Sequence, residues 1–401
     1  MESTPNPDRS RKLQESIPEP LQSDAALHDP FAWYDTNRST APVQYDPQRE
    51  VYDIFSYTHV KTALQDSDRL IRKELSQSHA DEPSPFSYID TAMVWSDGPD
   101  HKAAKGQLFK YFRPTILADV TDSITALADA QLDVATEDGP TFDFVEEFAV
   151  PVPLRVIMEV VGIPQQDHHQ LLAWLETFRE VMYSEYSAVD SANEEAMTDV
   201  VAYFRQLVED RTQNPKDDLI SQLVTETELS HEEIGSNCFD FILAGQGTMS
   251  ELLSNALYVF DDQELFGELD AYDLSVVLEE VLRYRSSLQS RARQTVDSVD
   301  LGETEIPSGE TVILWIGAAN RDPAQFDRPH EFIPDRDPDH LAFGNGPHAC
   351  IGAPLARLEA PLVLQAVVDR FDEIEIKTEQ MKPKSKASKL GFERLPVSTN
   401  P

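Results

Sequence analysis

The sequence has 401 residues, 40% of them apolar, and it includes 19 Phe and 12 Tyr. So many large apolar side chains exclude a mostly disordered chain, and the length allows one large domain or two average ones. Seventy-two acidic residues against 33 basic ones give a net charge of −39, which disfavours binding to nucleic acid or to an anionic membrane. The same charge predicts a protein adapted to a salt-rich cytoplasm, where screening weakens its self-repulsion.

The cysteine content and the N-terminus indicate the cellular compartment. Two cysteines, Cys238 and Cys350, are too few for a disulfide framework, which favours a reducing environment. No stretch of about 18 apolar residues occurs, and residues 1–20 are polar and contain prolines. We therefore expect a cytoplasmic protein without membrane insertion, whose residues 1–20 form a flexible, polar and acidic leader.

The first half of the chain is predicted to be mostly helical. Residues 51–55 have the pattern of a short strand, and residues 75–95 that of a proline-punctuated loop. In the helix that follows, His101 and Lys105 lie one turn apart, so one face carries two cationic donors. A solvated surface face is the alternative interpretation of this pair. Apolar residues at helical spacing predict further helices over residues 115–215.

A long helix is predicted in the middle of the chain. Ser230 and Glu233 have the spacing of a capping box, and apolar residues then recur at helical spacing for about 28 residues, more than twice the usual length. Gly245 and Gly247 lie inside this helix, where a glycine costs up to about 1 kcal/mol relative to alanine. They indicate a functional opening or bend, or else two glycines tolerated for helix packing.

The following elements carry paired charges. Glu280 and Arg283 lie three residues apart on one face of a predicted helix. Arg291 and Arg293 point the same way from a predicted strand, because side chains alternate along a strand. A hairpin around Gly302 comes next, and a short apolar strand follows at residues 311–315.

A glycine-rich loop at residues 343–352, Phe-Gly-Asn-Gly-Pro-His-Ala-Cys-Ile-Gly, leads into an amphipathic helix. This places Cys350 at a helix N-terminus, where unpaired N–H groups favour the thiolate that binds metals. Gly344, Gly346 and Gly352 allow the loop to lie close to a large planar ligand. A small buried hydrophobe in a turn is the alternative role for a lone cysteine.

The pattern Phe-Gly-x-Gly-x-His-x-Cys-x-Gly resembles the haem-binding loop of the cytochrome P450 family, and the resemblance covers about residues 29–400. It implies a mostly α-helical fold with a smaller β-rich region, formed as a single domain over residues 21–401. Haem b would lie between the long central helix and the cysteine loop.

By the same resemblance, Cys350 ligates the iron, Phe343 packs beside the sulfur and Gly352 borders the haem. The haem propionates would be met by His101, Lys105, Arg293 and His348, with Arg291 as the reserve for Arg293. Lysine stands at position 105 where the family has arginine, and it cannot make the bidentate contact that a guanidinium makes.

The segment around Thr248 resembles the family's oxygen-activation site, in which the threonine helps to protonate bound dioxygen. The acid that usually precedes this threonine is replaced by Gly247. Glu280 and Arg283 would be a buried structural pair that supports the cysteine loop, with a third partner left open among His330, Glu331 and Arg336. The expected substrate pocket comprises Leu243, Ala244, Gly247, Leu288 and Phe392.

The activity implied is that of a monooxygenase, which inserts one oxygen atom from O2 into a hydrophobic small molecule. Electrons would come from a ferredoxin-type donor. Two alternatives stay open: a peroxide-driven peroxygenase, motivated by Gly247, and a non-catalytic haem protein that binds a gas or a hydrophobic ligand.

Overall fold

The computed structural model describes residues 17–72, 85–113, 120–183 and 191–400. Most of these residues are helical, and the strands are short. The α-helices are α1 (Asp24–His28), α2 (Phe31–Thr40), α3 (Tyr57–Gln65), α4 (Gly98–Leu108), α5 (Thr121–Ala135), α6 (Pro151–Val161), α7 (His168–Tyr183), α8 (Ser191–Gln213), α9 (Leu219–Glu226), α10 (His231–Asp262), α11 (Leu274–Tyr284), α12 (Ile316–Ala319) and α13 (Ala353–Arg370).

The strands form four small sheets within the described residues. They are β1 (Val43–Asp46), β2 (Val51–Ile54), β3 (Leu70–Ile71), β4 (Thr141–Asp143), β5 (Ser290–Thr295), β6 (Val299–Leu301), β7 (Thr304–Ile306), β8 (Thr311–Trp315), β9 (Glu373–Ile376), β10 (Lys382–Pro383), β11 (Phe392–Arg394) and β12 (Pro396–Asn400). The largest sheet has the order β1-β2-β8-β5-β3, with β2 parallel to β8 and the other neighbours antiparallel.

Several sequence-based element predictions are confirmed. Residues 51–54 form a strand, and residues 299–301 and 304–306 pair as a hairpin. Residues 85–95 differ from the predicted loop, since they contain the 3-10 helices Pro85–Thr91 and Met93–Trp95. Residues 75–84 of that predicted loop, and residues 1–16 of the predicted leader, lie outside the described residues.

Helix α10 runs through the main hydrophobic core. Its capping box is present: the Ser230 hydroxyl oxygen accepts from the Glu233 N–H at 3.2 Å, and the Glu233 carboxylate accepts from the Ser230 N–H at 2.8 Å. The helix is 32 residues long and continues without a break past Gly245 and Gly247. A Cβ on Gly245 would lie 3.5 Å from Ile157 of α6, which is an ordinary contact, so close helix packing does not require a glycine at this position.

A buried ion-pair network joins α11 to the chain that leads into the cysteine loop. Arg283 donates two hydrogen bonds to the Glu280 carboxylate, at 2.7 and 2.8 Å, and both side chains are fully buried. The Arg336 Nε donates to Glu280 Oε1 at 3.0 Å, so Arg336 is the third partner that the sequence left open. The side chain of His330 instead lies 3.2 Å from the Asp35 carboxylate, and that of Glu331 pairs with Arg328, both at the exposed surface.

We expect Arg336→Ala to lower the free energy of unfolding by about 1.5–3 kcal/mol, because it removes a charged hydrogen bond from a buried carboxylate. Arg328→Ala is the matched control, since Arg328 pairs with Glu331 on the surface, where such pairs contribute about 0–1 kcal/mol. Urea unfolding measures both. Equal losses in the two variants would contradict a structural role for Arg336.

Candidate active site

A cavity of about 240 Å³ lies between α10 and the cysteine loop, residues 343–352. Its walls are largely apolar and include Met93, Phe112, Ile157, Phe241 and Leu355. Cys350 lies at one side of the cavity, while Ala244 and Thr248 of α10 and Leu288 line other parts of it. The cavity therefore brings the predicted metal ligand and part of the predicted substrate pocket together.

Backbone hydrogen bonds fix the shape of the cysteine loop. Gly344 and Gly346 have positive φ angles of 72° and 74°, and the Cys350 N–H donates to the Phe343 carbonyl at 2.8 Å. A Cβ on Gly346 would lie 2.7 Å from the Leu64 carbonyl oxygen of α3. Gly346 therefore permits a close contact with α3, which corrects the expectation that it makes room for a ligand. Gly344 and Gly352 do line the cavity.

The Cys350 thiol is subject to opposing influences. Backbone N–H groups of Gly352 and Ala353, and the charges of Arg291 and Lys105, lower its pKa, but burial is the larger effect and the pKa is raised overall. The sequence predicted a bias toward thiolate from the helix N-terminus alone, and it omitted the cost of burying a charge. Coordination to a metal cation would reverse the balance, since a coordinating thiol is deprotonated.

A cluster of cations borders the same cavity. Burial and the charge of Arg72 lower the pKa of Arg291 to about 10, and burial together with Arg72 and Arg291 lowers that of Arg293 to about 9. The only side-chain hydrogen bond of Arg293 within the described residues goes to the neighbouring Ala292 carbonyl, at 2.7 Å. Guanidinium groups buried together in this way form a site for an anionic ligand.

The two predicted histidines lie beside one another at this edge, with ring centroids 4.0 Å apart. His348 Nε2 is 2.7 Å from the Asp97 carboxylate, while burial, and then neighbouring groups that include Arg72 and Arg293, lower the pKa of His348 to about 4. His101 Nε2 lies 3.1 Å from the Pro347 carbonyl. Both rings line the cavity, but their closest partners are protein groups.

Lys105 makes a contact that the sequence did not predict. Its ammonium group donates to the carbonyls of Pro347 and Ala349, both at 2.6 Å, so it ties α4 to the cysteine loop. A lysine has three rotatable donors on a flexible stem and suits two converging carbonyls. Phe343 also lines the cavity, and the Arg357 guanidinium lies 4.6 Å from the centre of its ring.

Three predicted pocket residues are not among the described residues that line the cavity: Leu243, Gly247 and Phe392. Leu243 packs against the main core instead. Phe392 is buried against His28 and Tyr258, with ring centroids 5.4 and 5.3 Å apart, respectively. The prediction for Phe392 was wrong because β11 turns this side chain toward α10 at a point beyond the cavity. Thr248 lines the cavity and donates its hydroxyl to the Ala244 carbonyl at 3.0 Å.

Two acidic residues of the cavity were missed by the sequence analysis. Asp240 lies four residues before Ala244 and eight before Thr248, on the same face of α10, so helical spacing could have found it. Glu359 of α13 lines the cavity too, and burial raises its pKa to about 8. The Glu359 Oε1 has no hydrogen-bond partner among the described residues.

Comparison with known proteins decides the identity of the chain. The family model described as cytochrome P450 matches residues 274–400. Cytochrome P450(MEG) of Priestia megaterium is 32% identical over 361 residues, which cover 86% of this chain and 88% of that protein. The chain belongs to the cytochrome P450 family.

Solved P450 structures share the fold. CYP109E1 from Bacillus megaterium, in complex with testosterone, is 30% identical with a TM-score of 0.84 and covers 95% of this chain and 100% of its own. P450BioI, in complex with an acyl carrier protein ligated to hexadec-9Z-enoic acid, is 27% identical with a TM-score of 0.85, over 94% of this chain and 100% of its own. The predicted P450 fold, mostly helical with a smaller β region, is confirmed.

Haem b is the cofactor of the P450 family, and the residues of this cavity fit it. The site offers a cysteine sulfur beside two backbone N–H groups, together with buried arginines suited to carboxylates. As a P450, the protein is a haem-thiolate monooxygenase. No helix among the described residues is long and apolar enough to cross a membrane.

The Glu359 carboxyl should make stability depend on pH. Its pKa is raised to about 8 in the folded protein, so the folded state keeps a proton that the unfolded state releases above about pH 4.5. Stability from this group is therefore lost as pH rises between these values, by up to about 1.4 kcal/mol per pH unit. Relative to wild type, we expect Glu359→Gln to become steadily more stable from pH 5.5 to pH 7.5.

Urea unfolding at the two pH values measures this difference. Asp369→Asn is the matched control, because Asp369 is an exposed acid on the same helix. If Glu359→Gln and the control changed in parallel with pH, the buried carboxyl would not hold its proton.

Proposed function

We propose that this P450 inserts one oxygen atom from O2 into a hydrophobic small molecule bound in the cavity beside α10. The observation that carries the proposal is that a largely apolar cavity is bordered by both the Cys350 sulfur and the Thr248 side chain. An apolar cavity with a few polar groups is the usual form of a small-molecule site. CYP109E1 and P450BioI, crystallised with testosterone and a fatty acyl chain respectively, also hold hydrophobic ligands.

In this proposal the Cys350 sulfur ligates the haem iron, and the loop's N–H groups stabilise its negative charge. Arg291 and Arg293, with His101 and His348, hold the haem carboxylates at the cationic edge. Gly352 keeps space beside the sulfur: a Cβ there would lie 3.9 Å from Sγ. Haem, when bound, supplies the oxygen chemistry, while the protein supplies the sulfur, a dry cavity and proton positions.

Proton delivery has to proceed without a carboxylate at position 247. Thr248 currently donates to the Ala244 carbonyl, and a rotation of the hydroxyl would free it toward the cavity. Asp240 and Glu359 are the acidic side chains that line the cavity. Asp240 lies on α10, the helix that carries Thr248, whereas Glu359 belongs to α13, which begins directly after the cysteine loop on the other side of the proposed haem position.

We further propose that electrons come from a ferredoxin-type donor, as the resemblance implies. The glycine at position 247 favours a second candidate, a peroxygenase. In such an enzyme peroxide supplies the oxygen atom and acts as the oxidant, with water as the other product, so no external electron donor is needed. A peroxide-driven enzyme needs no proton relay for the reduction of O2, so it tolerates the loss of the acid.

We expect the reduced, carbon-monoxide-bound protein to have the strongly red-shifted Soret band of thiolate ligation, and Cys350→His to lose it. Cys238→Ala is the control, because Cys238 is buried in α10 and does not line the cavity. This absorption spectrum needs no substrate. A histidine-type band in the unaltered protein would overturn Cys350 as the iron ligand.

Product formation with NADPH, a ferredoxin reductase and ferredoxin should exceed product formation with hydrogen peroxide alone, using testosterone as a trial substrate. We expect Thr248→Ala to uncouple the ferredoxin-driven reaction, so that more reductant is consumed for each product. The peroxide-driven rate should change little. Turnover by peroxide alone would instead favour the peroxygenase.

A further inference from the structure

Asp240 lies on the cavity-facing side of α10, two helical turns before Thr248. Residues 240, 244 and 248 follow one another at four-residue intervals, and all three line the cavity. The surrounding wall is largely apolar, with Met93, Phe112 and Phe241 nearby in the lining. Asp240 is thus an acid placed in the wall of the substrate cavity rather than on the protein surface.

The Asp240 carboxylate accepts no hydrogen bond from the described residues. Among them, Arg72 is the charged residue that affects the pKa of Asp240, and it does so without a hydrogen bond. Burial raises the pKa of Asp240 to about 6, and the charge of Arg72 limits the rise. The carboxylate is therefore mostly ionised at neutral pH. The Asp240 side chain is half-buried and lines the cavity, so its carboxylate is accessible to a donor group of a bound ligand.

Arg72 is engaged with the cationic edge of the cavity. Its backbone N–H donates to the Asp97 carboxylate at 2.7 Å, and its guanidinium lies 5.5 Å from the centre of the Trp95 ring. Its charge lowers the pKa of both Arg291 and Arg293, so it lies close to them. The charges of Asp240 and then Asp97 act on Arg72, so the haem carboxylates proposed for that edge would compete with Asp240 for the Arg72 guanidinium.

We propose that Asp240 is a substrate anchor, and that the cavity takes hydrophobic small molecules carrying a protonated amine. A substrate ammonium group would donate to the Asp240 carboxylate and supply the missing partner, while its apolar part would contact the remaining wall. A charge-assisted hydrogen bond away from water is strong enough to orient the substrate relative to Thr248. This inference rests on the monooxygenase function proposed above and narrows its substrate class.

The competing role for Asp240 is to balance the charge of Arg72. In that case its replacement would leave the choice between amine and neutral ligand unchanged and would favour anionic ligands. The two roles therefore differ in a binding preference, which can be measured without turnover.

The test uses two ligands of the same shape, N,N-dimethyl-2-phenylethylamine and the hydrocarbon 3-methylbutylbenzene, with the haem-loaded full chain. Equilibrium dialysis gives both dissociation constants. We expect the amine to bind at least about tenfold more tightly than the hydrocarbon, the usual size of one charge-assisted contact. Asp240→Asn should remove this preference and leave hydrocarbon binding unchanged. Asp262→Asn, an exposed position on the same helix, loses the same charge and should keep the preference.

Arg72→Gln provides a second variant that does not depend on how Asp240→Asn folds. We expect it to strengthen amine binding, because it removes the cation nearest to the carboxylate. An amine preference that is absent from the unaltered protein, or that survives in Asp240→Asn, would overturn the anchor.

The carbon monoxide spectrum tests the proposed function separately from the amine preference. A protein with the thiolate-type carbon monoxide band but no amine preference overturns the anchor alone. A protein without that band, whose amine preference nevertheless depends on Asp240, supports the anchor and overturns the haem-thiolate proposal.

Discussion

The position of the active site depends on the buried ion pair between Glu280 and Arg283. Besides its two bonds to Glu280, Arg283 donates to the carbonyls of Asn320, Pro329 and Glu331. Three separate points of the chain before the cysteine loop are thereby attached to one side chain of α11. Asn320 continues the connection, since its side-chain oxygen accepts from the Leu341 N–H at 2.7 Å. A fully buried charge can be retained here because all five N–H donors of Arg283 are used.

The charge of the cavity is opposite to that of the whole molecule. The chain carries a net charge of −39, yet Arg72, Lys105, Arg291 and Arg293 all border one internal space. Burial, and then repulsion from neighbouring arginines, lowers the pKa values of Arg291 and Arg293, and an anionic ligand at this edge would be stabilised by the same charges. Asp240 and Glu359 are the acids among the described residues of this lining, and Asp240 is the one that shares α10 with Thr248.

Local patterns were predicted from the sequence more successfully than contacts between distant segments. The capping box at Ser230, the hairpin at residues 299–306 and the Glu280–Arg283 spacing each depend on residues a few positions apart. Arg336, 56 positions from Glu280, could only be offered as one of three candidates. Phe392 was misplaced because a strand's spacing does not reveal which neighbouring element covers it.

The active site shows the same limit, because spacing along the sequence reports neither burial nor contacts with distant segments. The cysteine pattern correctly indicated a helix N-terminus, but the protonation of Cys350 depends on burial, which spacing does not report. Gly346 was assigned to a ligand when its neighbour is the backbone of α3. Asp240 was visible at helical spacing, yet recognising it required knowing which face of α10 borders the cavity.

The contacts of Lys105 and Gly346 have a consequence for assembly. Lys105 holds two carbonyls of the cysteine loop from α4, and Gly346 lets the loop rest against the backbone of α3. These contacts restrain the loop from the protein side. They reduce the conformational entropy that remains to be lost when the cofactor binds, which favours capture of the cofactor.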